Sequence, residues 1–282
     1  TTESYDAHGH YTFDQVSGFP SKGEYTVTVT FDETNLIAGS EARVDLQVNS
    51  SAGYVVLVEG QTATGSVDDT ANRTTNRIYQ TLLARGFHAE DIYLLSPQSG
   101  QAGVDGAISS ATLQSTLQSW VPQNLNAAPA PLYIILLPAG EQGSLLLDGP
   151  ESVLTPEALV SDLNVMERAL STVARAEKRI VMVGGDNGGS WIPSLSASGR
   201  TIVASSSAGE RSFLGPLEPR ESGAGVEGRD LFLEELMMEW GGGRALKQAF
   251  MVATEKVEQL TRRDQSDDRI NRFFDNALQH PL

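Results

Sequence analysis

Tyr54-Val55-Val56-Leu57-Val58 is an unbroken apolar run of strand length. Four later stretches repeat the pattern in part or whole: Asp91-Ile-Tyr-Leu-Leu95, Leu132-Tyr-Ile-Ile-Leu-Leu137, Arg179-Ile-Val-Met-Val183 and Arg200-Thr-Ile-Val-Ala204. A strand apolar at successive positions is buried on both faces, as in a parallel sheet covered by helices on each side. The intervals between the runs have helical spacing. Over 70–85, Ile78, Leu82 and Leu83 share one side and Gly86 is the stop signal. Over 110–120, Leu113, Leu117 and Trp120 do the same. Thr155-Pro156 supplies an N-cap and a first-turn proline for a third helix, predicted to reach 163 and to be followed by another over 166–176. Helices over 230–240 and 245–261 complete the series, and the charged stretch 262–268 is expected to be solvated. This alternation predicts an α/β domain over 53–282, with three layers (α/β/α) and a mainly parallel sheet.

Residues 1–52 read differently. Glu24-Tyr-Thr-Val-Thr-Val-Thr-Phe31 and Ala42-Arg-Val-Asp-Leu-Gln-Val48 alternate with period two, and His10-Tyr-Thr-Phe-Asp14 is a third short candidate. Such strands bury one face only. They predict a small antiparallel β unit, a partial immunoglobulin-like sandwich.

The 282 residues carry a formal net charge of −16, which repels phosphate backbones and anionic lipid, so no nucleic-acid partner is expected. No run reaches the ~18 apolar residues of a membrane helix, so no membrane insertion is expected. Cysteine is absent, which excludes disulfides, thiolate metal sites and a thiol nucleophile. A start at Thr1 without methionine fits a processed mature protein or a trimmed piece equally, and the acidic charge fits a salty or extracellular medium, so an extracytoplasmic place is expected.

In parallel sheets, ligands sit at the carboxyl ends of the strands. Three loops there hold the informative residues. They are Pro138-Ala-Gly-Glu-Gln-Gly-Ser-Leu-Leu-Leu-Asp148, Gly184-Gly-Asp-Asn-Gly-Gly-Ser-Trp191 and Ser205-Ser-Ser-Ala-Gly-Glu210. With Asp69, Ala71, Asn72 and Ile78-Tyr79 in the first helix, this order resembles the caspase–haemoglobinase fold, and within it bacterial relatives of the legumain-type cysteine peptidases. The resemblance covers roughly residues 53–258. It implies that the family's catalytic histidine falls on Ala139 and its cysteine on Asp186. The aspartate that shapes the family's substrate pocket falls on Gly184. Gly140, and Gly189, Ser190 and Trp191, keep the frame. The resemblance therefore implies a pseudopeptidase with a vestigial cleft of Gly140, Glu141, Gly184, Asp186, Gly189, Ser190, Trp191, Ser205 and Ser206.

Physical chemistry agrees independently: a thiol mechanism needs a thiolate and a base, and neither stands in these loops. Asp186 with Glu141 is a conceivable carboxylate pair, and with Asp148 and Glu210 a conceivable calcium set, but the spacing matches no known calcium loop. The plainer reading is solvated loop carboxylates. Ser190 and Ser205–Ser207 lack a base in the sequence around them, and none of His8, His10, His88 and His280 lies in the three loops. His8 and His10 would share one side of an extended chain, yet two ligands do not make a metal site. Gly184-Gly185 and Gly188-Gly189 follow neither phosphate-loop pattern. No cofactor or metal is expected. The expected function is binding or assembly with a protein or peptide partner, self-association included. The alternatives are a residual hydrolase using Asp186 or a serine, and a filament or surface-layer subunit built through the β unit.

Overall fold

The structure, a computed structural model, describes residues 3–5, 11–13, 23–31, 39–48, 52–64, 68–139, 145–215, 217–218, 226–265 and 279–282. His8, His10, Gly140 and Glu141 lie outside them. The chain divides into two compact units, Thr1–Ser51 and Ala52–Leu282.

The first unit contains two antiparallel ladders. One pairs β1 (Glu3–Tyr5) with β2 (Tyr11–Phe13), the other β3 (Gly23–Phe31) with β4 (Ser40–Val48). Val27 faces Val44 and Tyr25 faces Leu46 across the longer ladder. The period-two pattern predicts that this apolar row is buried, but Val44 is 58% and Val29 39% exposed. A two-stranded ladder buries such a row only when another layer covers it.

The second unit opens with β5 (Tyr54–Glu59), α1 (Asp69–Ala84), β6 (Ile92–Ser96) and β7 (Val104–Ala107). A helix follows in three parts: α2 (Ser110–Ser115), a π-helical turn (Thr116–Trp120) and α3 (Val121–Ala127). Pro122 has no N–H, and its ring would meet the carbonyl four residues back, so the wider π turn ahead of it relieves the clash. Next come β8 (Leu132–Leu137), α4 (Pro156–Ala169), α5 (Thr172–Ala176), β9 (Arg179–Val183), α6 (Ile192–Leu195) and β10 (Arg200–Ala204). A small ladder of β11 (Leu217–Glu218) and β12 (Val226–Glu227) precedes α7 (Leu231–Gly241) and α8 (Leu246–Gln265).

The sheet order is β7-β6-β5-β8-β9-β10, and every pairing is parallel. The three-layer α/β class is thus as expected. One core forms where Val55, Leu57, Ile135 and Met182 meet Ile78 and Leu82 of α1, Phe232 of α7 and Ala253 of α8. The other forms where Val56, Val58, Ile134 and Val181 meet Leu113, Leu117, Leu159 and Leu163. Each strand feeds both cores with alternate side chains, which is why the strands read as continuous apolar runs.

Some boundaries differ from expectation. The third helix runs unbroken from Pro156 to Ala169, because nothing at 164–165 breaks it; Ser171 then caps α5 through its hydroxyl. α8 extends four residues past 261, to Gln265. β7 escapes a sequence reading because Val-Asp-Gly-Ala has no strand pattern.

At the amino ends of β9 and β10, Arg179 and Arg200 converge on Glu167 of α4. Arg200 grips it with Nε at 2.8 Å and Nη2 at 2.9 Å, and Arg179 Nε lies 3.0 Å away. Both guanidiniums are buried, so this carboxylate clamps α4 to two strands.

Candidate functional site

The chain works outward from β5 to β7, then crosses to β8 and works outward the other way. The crossing point between β5 and β8 is where open α/β sheets leave a crevice at their carboxyl ends. Here the turn around residues 145–154 fills it. Gln61 N–H donates to Leu146 O at 3.1 Å and Gln61 Nε2 to Leu147 O at 2.8 Å. A Cβ on Gly60 would already stand 3.0 Å from Leu145 Cδ1 and 3.3 Å from Ala139 N. Ala139, onto which the sequence resemblance puts a histidine, is buried.

Beside that plug lies Glu59, the last residue of β5, on the same strand face as Val55 and Leu57. It is fully buried against α1. Ser96 Oγ donates to its Oε2 at 3.2 Å, and Asn72 Nδ2 stands 3.5 Å from the same atom. Burial pushes the Glu59 carboxyl up to about 7, against the pull of the Thr75, Ser96 and Asn72 side chains. The charge that ends the run Tyr54–Val58 was its only signal in the sequence.

The loops after β9 and β10 are stitched to each other. Gly185 N–H donates to Asp230 Oδ2 at 2.6 Å, and Ser212 N–H to Asp186 Oδ1 at 2.8 Å. Asn187 holds a left-handed conformation (φ 58°), and its Oδ1 accepts from Gly209 N–H at 2.8 Å. Asparagine tolerates that region better than most residues. Ser206 Oγ donates to Gly185 O at 2.9 Å and accepts from Gly188 N–H at 3.3 Å. Gly189 N–H reaches Ser206 O at 2.7 Å. A Cβ at Gly189 would lie 2.8 Å from Ala208 N, so only glycine allows this approach.

Asp230 underpins both loops from the start of α7. Its Oδ1 accepts from Leu233 N–H at 2.8 Å as the helix N-cap, and its Oδ2 also accepts from Ser212 Oγ at 3.0 Å. Burial raises its pKa against these donors. A Cβ on Gly184 would meet Leu233 Cδ1 at 2.8 Å, Leu136 O at 3.1 Å and Asp230 Oδ2 at 3.3 Å.

Of the expected cleft residues, Gly184, Gly189, Ser205 and Ser206 are buried, Asp186 is half-buried, and Ser190 is exposed. Trp191 packs against the α4 core. Asp148 stands elsewhere, with both carboxylate oxygens accepting from Ser110 N–H at 3.0 and 3.2 Å. No group of three or more His, Asp or Glu fit to hold a metal occurs among the described residues.

His280, which the sequence places far from these loops, belongs to them. Leu282 and Ala204 exchange backbone hydrogen bonds of 2.9 and 2.5 Å, so residues 279–282 run against the end of β10. Gln279 fastens them, donating from Nε2 to Ser205 O at 2.7 Å and accepting from Phe213 N–H at 2.8 Å. The His280 ring then lies with Nδ1 2.7 Å from Glu210 Oε1. His280 N–H and Ser207 N–H donate to Glu210 Oε2 at 2.9 and 3.2 Å, and Ser207 Oγ donates to His280 O at 3.0 Å. Burial alone would raise the Glu210 pKa, but the His280 amide, its imidazole and the Ser207 amide together bring it below 4.5.

No protein-family model matches the chain. No curated protein matches it either. Among solved structures, that of pro-sf-caspase-1 is 14% identical over 83% of this chain and 87% of its own, with a TM-score of 0.49. A pyrroline carboxylate reductase of Plasmodium falciparum with NADP bound is 8% identical over 82% of this chain and 86% of its own, with a TM-score of 0.28. The α/β fold rests on the strand order and the two packed faces, independently of both.

Proposed function

We propose that this chain is a non-catalytic binding or structural module, a pseudopeptidase on a caspase-like α/β scaffold that works outside the cytoplasm. The observation that carries this reading is the employment of Asp186. At the position implied for the nucleophile, its Oδ1 is occupied by the Ser212 amide and ties two loops together. The neighbouring positions support it: Ala139 is buried, and Gly184 has no room for a side chain. The stitched loops form a rigid end to the sheet suited to holding a partner chain. Titration calorimetry against extended peptides tests the binding half, and broad fluorogenic amide and ester substrates test the non-catalytic half. Turnover that disappears in Asp186→Ala defeats this reading.

A residual hydrolase is the second reading, favoured by the Glu210–His280 pair. A carboxylate on Nδ1 orients an imidazole as a base. Ser207 is beside it, but its hydroxyl is turned to the His280 carbonyl. Ester hydrolysis lost in His280→Ala and kept in Asp186→Ala would select this reading.

A further inference from the structure

Residues 279–282 occupy a seat built by β10, the loop after it and α8. Gln279 is fully buried and uses both ends of its amide, Nε2 donating to Ser205 O at 2.7 Å and Oε1 accepting from Phe213 N–H at 2.8 Å. Its own N–H lies 3.5 Å from Thr261 Oγ1 of α8. A glutamate in its place would lack the donor, and an apolar side chain would leave Ser205 O and the Phe213 N–H unpaired. Pro281 is buried as well, and Glu210 takes the His280 ring and amide. The mutual hydrogen bonds of Ala204 and Leu282 set the segment antiparallel to the end of β10, the edge strand of the sheet. A sheet edge that pairs with backbone and adds a pocket for one side chain is a site for an extended peptide.

None of these bonds depends on which copy of the chain supplies the segment. Residues 266–278 separate it from the end of α8, and a stretch of that length reaches at most about 45 Å. A domain of this size has a radius of gyration of about 17 Å, so the segment can reach the seat of a copy lying alongside. The seat calls for glutamine followed by histidine on an extended chain, and a second copy carries both at the required spacing.

We propose that residues 279–282 are exchanged between two copies of this chain, each segment seated on the partner's β10. The exchanged pair has the same hydrogen bonds as the single chain, so concentration governs which form prevails. A chain's own segment competes at an effective concentration on the order of 1 mM, and the dimer accumulates as the chain approaches it. The net charge of −16 holds copies apart, and added salt favours the dimer by screening it. The exchange names a partner for the loops given a binding role above, and the two readings fail separately: turnover lost in Asp186→Ala defeats that one and leaves this one standing.

The chain has no cysteine, so introduced thiols report on the seat alone. Hydrogen-bonded antiparallel partners have Cα atoms about 5.5 Å apart, within reach of a disulfide. The double variant Ala204→Cys with Leu282→Cys closes within one chain on oxidation. Chains with Ala204→Cys alone are then mixed with chains with Leu282→Cys alone, and only exchange seats those two thiols together. The covalent mixed dimer exceeds, by about fivefold or more, that formed when Val173→Cys, an exposed site on α5, replaces Ala204→Cys. Gln279→Ala added to the Ala204→Cys chain frees its seat and raises the yield; added to the Leu282→Cys chain it weakens the incoming segment and lowers the yield. Failure of the folded double variant to close, a mixed dimer no more abundant than the control, or a yield indifferent to which chain carries Gln279→Ala overturns the proposal. Sedimentation of the wild type decides the matter without thiols. A dimer at about 1 mM that Gln279→Ala abolishes is expected, and a monomer at that concentration overturns the exchange.

Discussion

Glu210 and His280 meet at 2.7 Å although 70 positions separate them in the chain. Their contact joins the loop after β10 to residues 279–282. It supplies the only imidazole among the described residues of the three strand-end loops and their direct partners.

Glu210→Gln is expected to loosen that junction. It weakens acceptors for two amides and the imidazole, at a cost of about 1–2 kcal/mol in urea unfolding. Hydrogen exchange at the Leu282 amide, which bonds Ala204 O, should quicken more than exchange in β8. The Glu210 carboxyl is held below its ordinary value of 4.5 in the fold. Its contribution is therefore present above 4.5 and is lost as pH falls through the lower folded value. Unfolding curves below pH 4.5 should show less acid sensitivity in the variant.

Glu59 has the opposite sign. Its folded value of about 7 lies above the ordinary 4.5, so the folded chain holds a proton that the unfolded chain releases. Stability associated with Glu59 falls as pH rises from about 4.5 to about 7 and is flat above that. Glu59→Gln should remove this slope. The variant should gain on the order of 3 kcal/mol relative to wild type between pH 4.5 and pH 8. Parallel denaturation curves for the two proteins across that range would contradict the burial argument.

Glu167→Ala leaves two buried guanidiniums, Arg179 and Arg200, facing no carboxylate. A loss of about 3–5 kcal/mol is expected. Chemical denaturation measures it, and a change under 1 kcal/mol would mean that water reaches the pair.

Introducing the residues that the resemblance implies should not create a peptidase. Gly184→Asp forces a side chain against Leu233 and Leu136 O and places a second carboxylate next to Asp230. A destabilisation of roughly 2–3 kcal/mol is expected. Ala139→His combined with Asp186→Cys puts a ring into a buried alanine site and removes the Ser212 tether. Amidase assays on that double variant should stay at background, and measurable turnover would show that the cleft opens more easily than its packing implies.

Much of this was legible in the residues. Apolar runs such as Tyr54–Val58 and Leu132–Leu137 determine strands buried on both faces, and the helical spacing of Ile78 and Leu82 determines what covers one of those faces. Local chemistry placed Thr155 and Pro156 at the start of α4, where the Thr155 hydroxyl accepts from Ala158 N–H at 3.2 Å. The missing cysteine excluded a thiol mechanism without any structure. Such features depend on neighbours a few positions away, which a linear reading sees directly.

Tertiary structure alone decided the rest. Ser206 reads as a polar strand end, yet the convergence of two loops makes it a buried strut. Asp186 reads as a free carboxylate until Ser212, 26 positions later, brings its amide to it. The alternation of Val27 and Val29 predicts a buried face, but burial depends on a second layer that no pattern within the strand specifies. His280 joins Glu210 only because backbone hydrogen bonds set residues 279–282 against β10. Periodicity and capping are properties of contiguous chain. Which distant polar groups meet depends on how strands are ordered and which segment reaches the sheet's end, and for this protein that ordering made the strand-end site.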